Sequence, residues 1–124
     1  MGYVIVFLGG GLGAALRHGI NIAAARFLGT GFPYGTLFIN VLGSLAMGLI
    51  AEYFALKASL PQHWRLFLTT GILGGFTTFS AFSLEAALLY ERGQMLGAAI
   101  YIVASVLLAI AALFAGLAIV RALV

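Results

Sequence analysis

The chain has 124 residues, of which 64% are hydrophobic and only 7% are charged. A soluble domain carries roughly 25% charged residues, so this composition excludes a soluble protein and indicates an integral membrane protein surrounded by a lipid bilayer. The 6 basic and 3 acidic residues are too sparse for a nucleic-acid-binding surface, and the chain has no cysteine for a disulfide or a thiolate site.

Four long apolar segments make up almost the whole chain, at residues 3–27, 34–57, 64–90 and 95–123. Each exceeds the roughly 20 residues that a helix needs to cross the hydrocarbon layer. The connections between them are short and hold both prolines, Pro33 and Pro61. We therefore predict a single all-α domain over residues 1–124 with four transmembrane helices. Short connections also predict that consecutive helices are antiparallel neighbours.

The basic residues are almost evenly divided between the two ends of this predicted bundle. With four spans, Lys57, Arg65 and Arg121 share one side, and Arg26 and Arg92 share the other. Lys and Arg in short loops set the orientation of a membrane protein, so this weak bias predicts insertion in both orientations and an antiparallel homodimer of two inverted copies. The alternative is that the context of translocation fixes one orientation.

The first segment combines small residues with one buried cation. Gly9 and Gly13 are four residues apart, a spacing that lets two helix backbones approach closely. Arg17 lies inside the segment, where a guanidinium is costly and faces protein, a wet cavity or the interface. Two interpretations of Arg17 stay open. Its side chain extends to the membrane surface, or it is a cation in the vestibule of an anion pathway.

Polar side chains recur in the second and fourth segments. Asn40 lies about two turns inside the membrane, and a buried carboxamide must be hydrogen-bonded. It either joins helices or presents its two N–H donors to an anion. Tyr101 and Ser105 are four residues apart, so they share a helix face that serves either a helix contact or a strip of donors along a path.

The stretch from Gly71 to Glu85 reads GILGGFTTFSAFSLE and is the most unusual part of the chain. Glycine weakens a helix, and Thr and Ser offer the backbone other hydrogen-bond partners. We therefore predict that the third helix is broken near Gly74 and Gly75. Unwound backbone frees carbonyl oxygens, and several converging carbonyls form a site for a hard cation.

Phe79 and Phe82 follow the predicted break, three residues apart and on nearly the same side of the helix. An aromatic ring has a positive edge, so two inward-facing edges could contact an anion without holding it tightly. Ordinary packing is the alternative for such a pair. Glu85 is a functional candidate because an acid within a membrane span is costly. Hydroxyl groups near the rings favour the anion interpretation; they belong to Thr77, Thr78, Ser80 and Ser83.

At these residues the chain resembles the Fluc fluoride channels, the CrcB family. The matching stretches are GGLGAALR at residues 10–17, GTLFINVLGS at residues 35–44 and GILGGFTTFSAFS at residues 71–83. They lie in three of the four segments and in the family's order. Ala81 is a departure, because the family usually has threonine there, and this puts a role for position 81 in doubt.

The resemblance implies a fluoride-selective channel for passive fluoride export, which reduces fluoride toxicity inside the cell. It implies a dual-topology antiparallel homodimer with two pores, in a prokaryotic plasma or inner membrane. Phe79, Phe82 and Asn40 would line the pores, while Ser80, Tyr101 and Ser105 would form a track of hydroxyls. Arg17 and Glu85 would lie at a vestibule or pore end. A structural sodium ion at the dimer centre would bind the backbone carbonyls of Gly74 and Thr77.

Other functions fit the residues less well. A small dual-topology, proton-coupled multidrug transporter has the same size, but it needs a membrane-embedded acid in its first span, where this chain has only Arg17. A non-transporting scaffold would explain the glycines but not the concentration of hydroxyls, phenylalanines and Asn40. We predict no enzymatic activity, because the sequence offers no nucleophile–base pair and only two separated histidines.

Overall fold

A computed structural model describes residues 1–57 and 59–124 of the protein, and they are largely helical. The elements in chain order are α1 (Gly2–Leu28), α2 (Tyr34–Leu56), α3 (Gln62–Leu66), a π-helical segment (Phe67–Leu73), α4 (Gly74–Phe76), α5 (Phe79–Glu91) and α6 (Met95–Leu123). Four helical stretches are long and apolar enough to cross a membrane, namely Gly2–Leu28, Tyr34–Leu56, Gln62–Glu91 and Met95–Leu123. The prediction of an all-α protein with four such helices is confirmed.

The helices begin and end where the local sequence stops supporting a helix. Pro33 and Pro61 are the N-cap residues of α2 and α3. This is a position where the missing amide of proline costs no helical hydrogen bond. Gly29 and Gly93 have φ values of 83° and 80°, which only glycine adopts without strain. These residues end α1 and turn the chain after α5.

The third span changes its backbone geometry along its length. After α3 it widens into the π-helical segment and then returns to α-helical form in α4. Thr77 and Thr78 are extended, with φ and ψ of −83° and 157° at Thr77 and −152° and 122° at Thr78. The helical conformation resumes at Phe79, so two extended residues separate α4 from α5.

The most extensive helix contacts join alternate helices rather than consecutive ones. α1 packs mainly on the π-helical segment and α4, whereas α2 packs mainly on α6. Glycines allow the backbones of these helices to approach each other closely. A Cβ atom at Gly13 would overlap the carbonyl oxygen of Ile72, and one at Gly48 would overlap the carbonyl oxygen of Leu113. Consecutive helices α1 and α2, and α5 and α6, also contact each other, but less extensively.

Two clusters of buried apolar side chains lie on either side of the extended residues. One joins α2 to the first half of the third span through Ile39, Leu73 and Phe76. The other joins α5 to α6 through Phe82, Leu89, Ala98 and Tyr101. Thr77 and Thr78 therefore connect two packed regions, and the candidate site lies around this connection.

Candidate functional site

Asn40 holds the extended residues with both ends of its carboxamide. Its Nδ2 donates to the carbonyl oxygen of Thr78 at 3.0 Å, and its Oδ1 accepts from the Thr78 amide at 2.9 Å. Two roles for Asn40 were open from the sequence, a helix contact or two N–H donors for an anion, and in the structure one donor is committed to Thr78. One N–H therefore remains for another acceptor, and the side chain also joins α2 to the third span.

Thr78 stabilises the start of α5. Its Oγ1 accepts a hydrogen bond from the amide of Ala81 at 3.1 Å, which is the geometry of a helix N-cap. The hydroxyl of Ser80 lies 3.4 Å from the same oxygen and is exposed. The hydroxyl of Ser83 donates to the carbonyl oxygen of Phe79 at 3.0 Å. Ser80 therefore has the more available hydroxyl of these two serines.

Arg17 lies beside the extended residues. Its Nε donates to the carbonyl oxygen of Gly75 at 3.2 Å, and its side chain is half-buried. The two open interpretations of Arg17 concerned the membrane surface and an anion vestibule, and neither named this contact. The guanidinium supplies a positive charge and a hydrogen bond at the end of α4, where helical carbonyls lack their usual partners.

The predicted sodium ligands lie at the same place. The Thr78 amide donates to Asn40 Oδ1 rather than to the carbonyl oxygen of Gly74, which would be its partner in a continuous helix. The Ala81 amide likewise donates to Thr78 Oγ1 rather than to the carbonyl oxygen of Thr77. Carbonyl oxygens without these partners suit a hard cation. The residues present therefore fit a sodium ion chemically.

The two phenylalanines have opposite surroundings. Phe79 is 77% exposed, and Phe82 is only 9% exposed. Their ring centroids are 5.5 Å apart, and the Phe82 ring lies 5.2 Å from the ring of Tyr101. Phe82 thus packs within the protomer against the fourth helix, while Phe79 presents its ring at the protomer surface.

Tyr101 and Ser105 carry buried hydroxyls. Tyr101 is fully buried and Ser105 is 6% exposed. Within residues 1–57 and 59–124, neither hydroxyl makes a hydrogen bond of standard geometry, and the Tyr101 side chain lies close to that of Thr36. A buried polar group without a partner costs about 1–3 kcal/mol, so these two hydroxyls are poised to bind a water molecule or an anion.

A groove of about 400 Å³ connects several of these residues. Asn40 and Thr78 line it together with Phe79, Phe82 and Ser105. Its wall combines amide and hydroxyl groups with aromatic rings and apolar side chains of α6. The structure thus brings residues from three different spans to one surface.

Glu85 lies away from this groove, in a separate cavity nearer one end of the bundle. Its Oε1 accepts a hydrogen bond from the hydroxyl of Thr36 at 2.6 Å. The sequence argument singled out Glu85 but missed Thr36. A signal was present, because Thr36 lies four residues before Asn40 and therefore on the same helix face.

Known proteins match this sequence over almost its whole length. The family model described as CrcB-like protein, Camphor Resistance (CrcB), matches residues 4–117. The chain is 68% identical over 123 residues to the fluoride-specific ion channel FluC of Rhodopseudomonas palustris (strain BisB5), with 99% of each chain covered. It is 63% identical over 124 residues to the fluoride-specific ion channel FluC of Granulibacter bethesdensis, covering 100% of this chain and 98% of the relative. The resemblance found in the sequence is thereby confirmed, and the chain belongs to the CrcB family.

Proposed function

We propose that this protein is a fluoride-selective ion channel that mediates passive fluoride export and reduces fluoride toxicity in the cell. The observation that carries the mechanism is the pair of buried hydroxyls of Tyr101 and Ser105, which make no hydrogen bond of standard geometry in the described chain. They lie on one face of α6, beside the buried ring of Phe82. The names of the relatives, each a fluoride-specific ion channel, support the same function over a proton-coupled multidrug transporter.

The mechanism follows from the hydration of the ion. Fluoride is small and binds water strongly, so a selective path must replace that water with hydrogen-bond donors. The free N–H of Asn40 and the hydroxyls of Ser80, Tyr101 and Ser105 supply such donors. The positive edges of the rings of Phe79 and Phe82 add a weak attraction. Conduction requires that no site bind too tightly, and the only lysine, Lys57, follows the end of α2.

The protein works as an antiparallel homodimer of inverted copies. Phe79 is 77% exposed in the protomer, and the groove beside it is open, so a second copy can cover both. The even division of basic residues between the two ends supports insertion in both orientations. Each copy then contributes walls to two pores, and the dimer lies in the plasma membrane of a prokaryote, or in the inner membrane where there are two.

A sodium ion holds the two copies together at the interruption of the third span. The carbonyl oxygens of Gly74 and Thr77 are its ligands in each protomer. A hard cation takes about six oxygen ligands. The two oxygens of one chain fall far short of that number, whereas two copies together supply four. Bound there, the ion supplies a positive charge that joins the two chains.

Reconstitution of the purified protein into liposomes tests the function. Selective electrodes would follow fluoride and chloride release from vesicles loaded with each ion. We expect fluoride release without chloride release. An absence of fluoride flux from well-folded dimers would contradict the proposal.

Substitution of the buried ring tests the pathway. Phe82→Ile should slow fluoride release strongly, at least tenfold, while the dimer persists on a sizing column. Phe114→Ile is the matched control, because Phe114 lies on α6 but does not line the groove, so this substitution should leave the rate unchanged. Equal rates in both variants would mean that Phe82 only packs.

Removal of sodium tests the ion at the interface. Purification in potassium or N-methylglucamine should weaken the dimer or the flux, and sodium should restore them. Indifference to sodium in both measurements would overturn this part of the proposal without affecting the flux experiment.

A further inference from the structure

A second polar cavity, of about 190 Å³, lies at the end of the bundle where α1 and α5 end and α2 begins. It is distinct from the groove beside Phe79. The loop between α1 and α2 forms one wall, and α5 forms another. Its polar lining comes from six residues, namely Asn21, Thr30, Tyr34, Thr36, Glu85 and Arg92.

The inner part of this cavity adjoins the buried tyrosine. The Thr36 hydroxyl and the Glu85 carboxylate form a hydrogen bond of 2.6 Å there. Phe32 lines the cavity and packs edge-on against the ring of Tyr101, with 5.5 Å between the centroids. Phe32 therefore connects the wall of the cavity to the buried ring of Tyr101.

The charge of Glu85 opposes any anion in this cavity. A carboxylate and a fluoride ion repel each other, and the repulsion is strong where water is scarce. Arg92 is the cation of the lining and is exposed. It is the C-cap residue of α5 and follows Glu85 by seven residues, about two helical turns.

The family resemblance implies a vestibule or pore end at Glu85, and we propose that Arg92 draws fluoride into this cavity against the charge of Glu85. The inference rests on the proposed channel function and adds a residue that sets the rate. Arg92 is not part of the selective path, so it raises the local anion concentration without binding the ion tightly. Electrostatic attraction of this kind raises association rates and weakens as salt screens it.

Arg26 provides a matched control. It is exposed in the last turn of α1, at the same end of the bundle, and does not line the cavity. Arg92→Gln and Arg26→Gln remove the same charge from the same end, so they change the net charge and the orientation signal equally. Only the first removes a cation from the cavity.

The experiment is fluoride efflux from liposomes at about 10 mM and about 300 mM ionic strength, where the Debye lengths are roughly 30 Å and 6 Å. Arg92→Gln should reduce the rate about three- to tenfold at low ionic strength and less than twofold at high ionic strength. Arg26→Gln removes a charge outside the cavity, so it should reduce the low-salt rate clearly less than Arg92→Gln and match the wild type at high ionic strength. Leu88→Arg, which adds a guanidinium at another residue of the cavity wall, should raise the low-salt rate.

Three results would overturn the inference. These are an unchanged low-salt rate in Arg92→Gln, an equal loss in Arg26→Gln, or a loss in Arg92→Gln that persists at high ionic strength. The last would indicate a structural role instead. If Arg92→Gln does not fold, an unchanged low-salt rate in Leu88→Arg decides against the inference. A wild-type protein that releases no fluoride is a different outcome, because it contradicts the channel function itself.

Discussion

The two halves of the third span differ in what they present to their neighbours. The first half, from the π-helical segment through α4, presents backbone. A Cβ atom at Gly75 would overlap the carbonyl oxygen of Gly10, and one at Gly13 would overlap that of Ile72. The second half, α5, presents side chains, with Phe82 and Leu89 buried against α6 and Phe79 exposed beside an open groove. Backbone contact fixes a position closely, whereas side-chain contact leaves room for ions between residues.

The junction between the halves is held by hydrogen bonds rather than by packing. Asn40 binds both the amide and the carbonyl of Thr78, and Thr78 in turn caps α5. The comparison therefore predicts that substitutions in the first half act on stability, that those at the junction act on stability and flux together, and that isolated surface contacts have little effect.

Gly13→Ala should have the largest effect. Its new Cβ would overlap the carbonyl oxygen of Ile72 and lie 2.8 Å from the amide nitrogen of Phe76, and backbone cannot move aside as a side chain can. We expect a loss of stability of about 3 kcal/mol or more. The measurement is the fraction of monodisperse protein after heating in detergent. Gly11→Ala is the control, because a Cβ there meets nothing within 4 Å. Similar stability in both variants would mean that backbone contact does not hold the first half of the third span in place.

Asn40→Ala should have the next largest effect. It leaves the amide and the carbonyl of Thr78 without their partner, at a cost of about 1–3 kcal/mol, and it removes a donor from the groove. We expect lower thermal stability together with fluoride flux reduced more than tenfold. Ser83→Ala, which removes a hydroxyl bonded only within its own helix, should retain both. Normal fluoride flux in Asn40→Ala would show that the junction at Thr78 is not part of the fluoride pathway.

Thr78→Val should have a moderate effect. It removes the N-cap of α5 while keeping the size of the side chain, and loss of such a cap costs about 1 kcal/mol. Thermal stability and flux would be measured side by side. The control is Thr69→Val, because the hydroxyl of Thr69 donates to the carbonyl of Arg65 one turn earlier in its own helix. Equal stabilities would show that the cap contributes nothing at the junction.

Glu52→Gln should have the smallest effect. It tests whether α2 and α6 are also held together mainly by backbone contact at glycines. Glu52 Oε2 lies 2.7 Å from Arg121 Nε; the Arg121 side chain is 63% exposed, and the Glu52 side chain is 11% exposed. Solvent screens a pair whose cation is exposed, and such pairs contribute about 0–1 kcal/mol. Gln also keeps the shape of the largely buried Glu52, so the apparent melting temperature should fall only slightly, and less at high salt. A loss as large as that of Gly13→Ala would mean that polar contacts, and not glycine packing, hold α2 against α6.

The hydropathy of the chain and the Pro and Gly residues in its short connections were enough to predict the four helices, because the length and composition of a segment determine whether it can cross a bilayer. The residues around Thr78 were also found in advance, since polar groups in a lipid-soluble segment need partners. The partners themselves could not be found. The contacts of Asn40 with Thr78, and of Arg17 with Gly75, join positions 38 and 58 residues apart, and nothing local in the sequence encodes such distances.

The same limit applies to helix neighbours and to charge pairs. Short connections predicted contacts between consecutive helices, but backbone approach at Gly13 and Gly48 gives alternate helices the larger contacts. Glu52 lies five residues before Lys57 in sequence, but in the structure its carboxylate pairs with Arg121, which is 69 residues away. The π-helical segment was missed as well, because its wider turn is decided by what it packs against.

The pairing of alternate helices also determines when the chain can fold during synthesis. α1 meets its main partner only after the third span has entered the membrane, and α2 meets its main partner only after α6. The hairpin of α1 and α2 therefore lacks the main packing partners of both helices. Until the later spans are inserted, Gly13 and Gly48 face lipid rather than protein. A nascent chain cut before α6 would leave α2 without its main packing partner. Such a chain would therefore be incomplete as a bundle even with three of its four spans inserted.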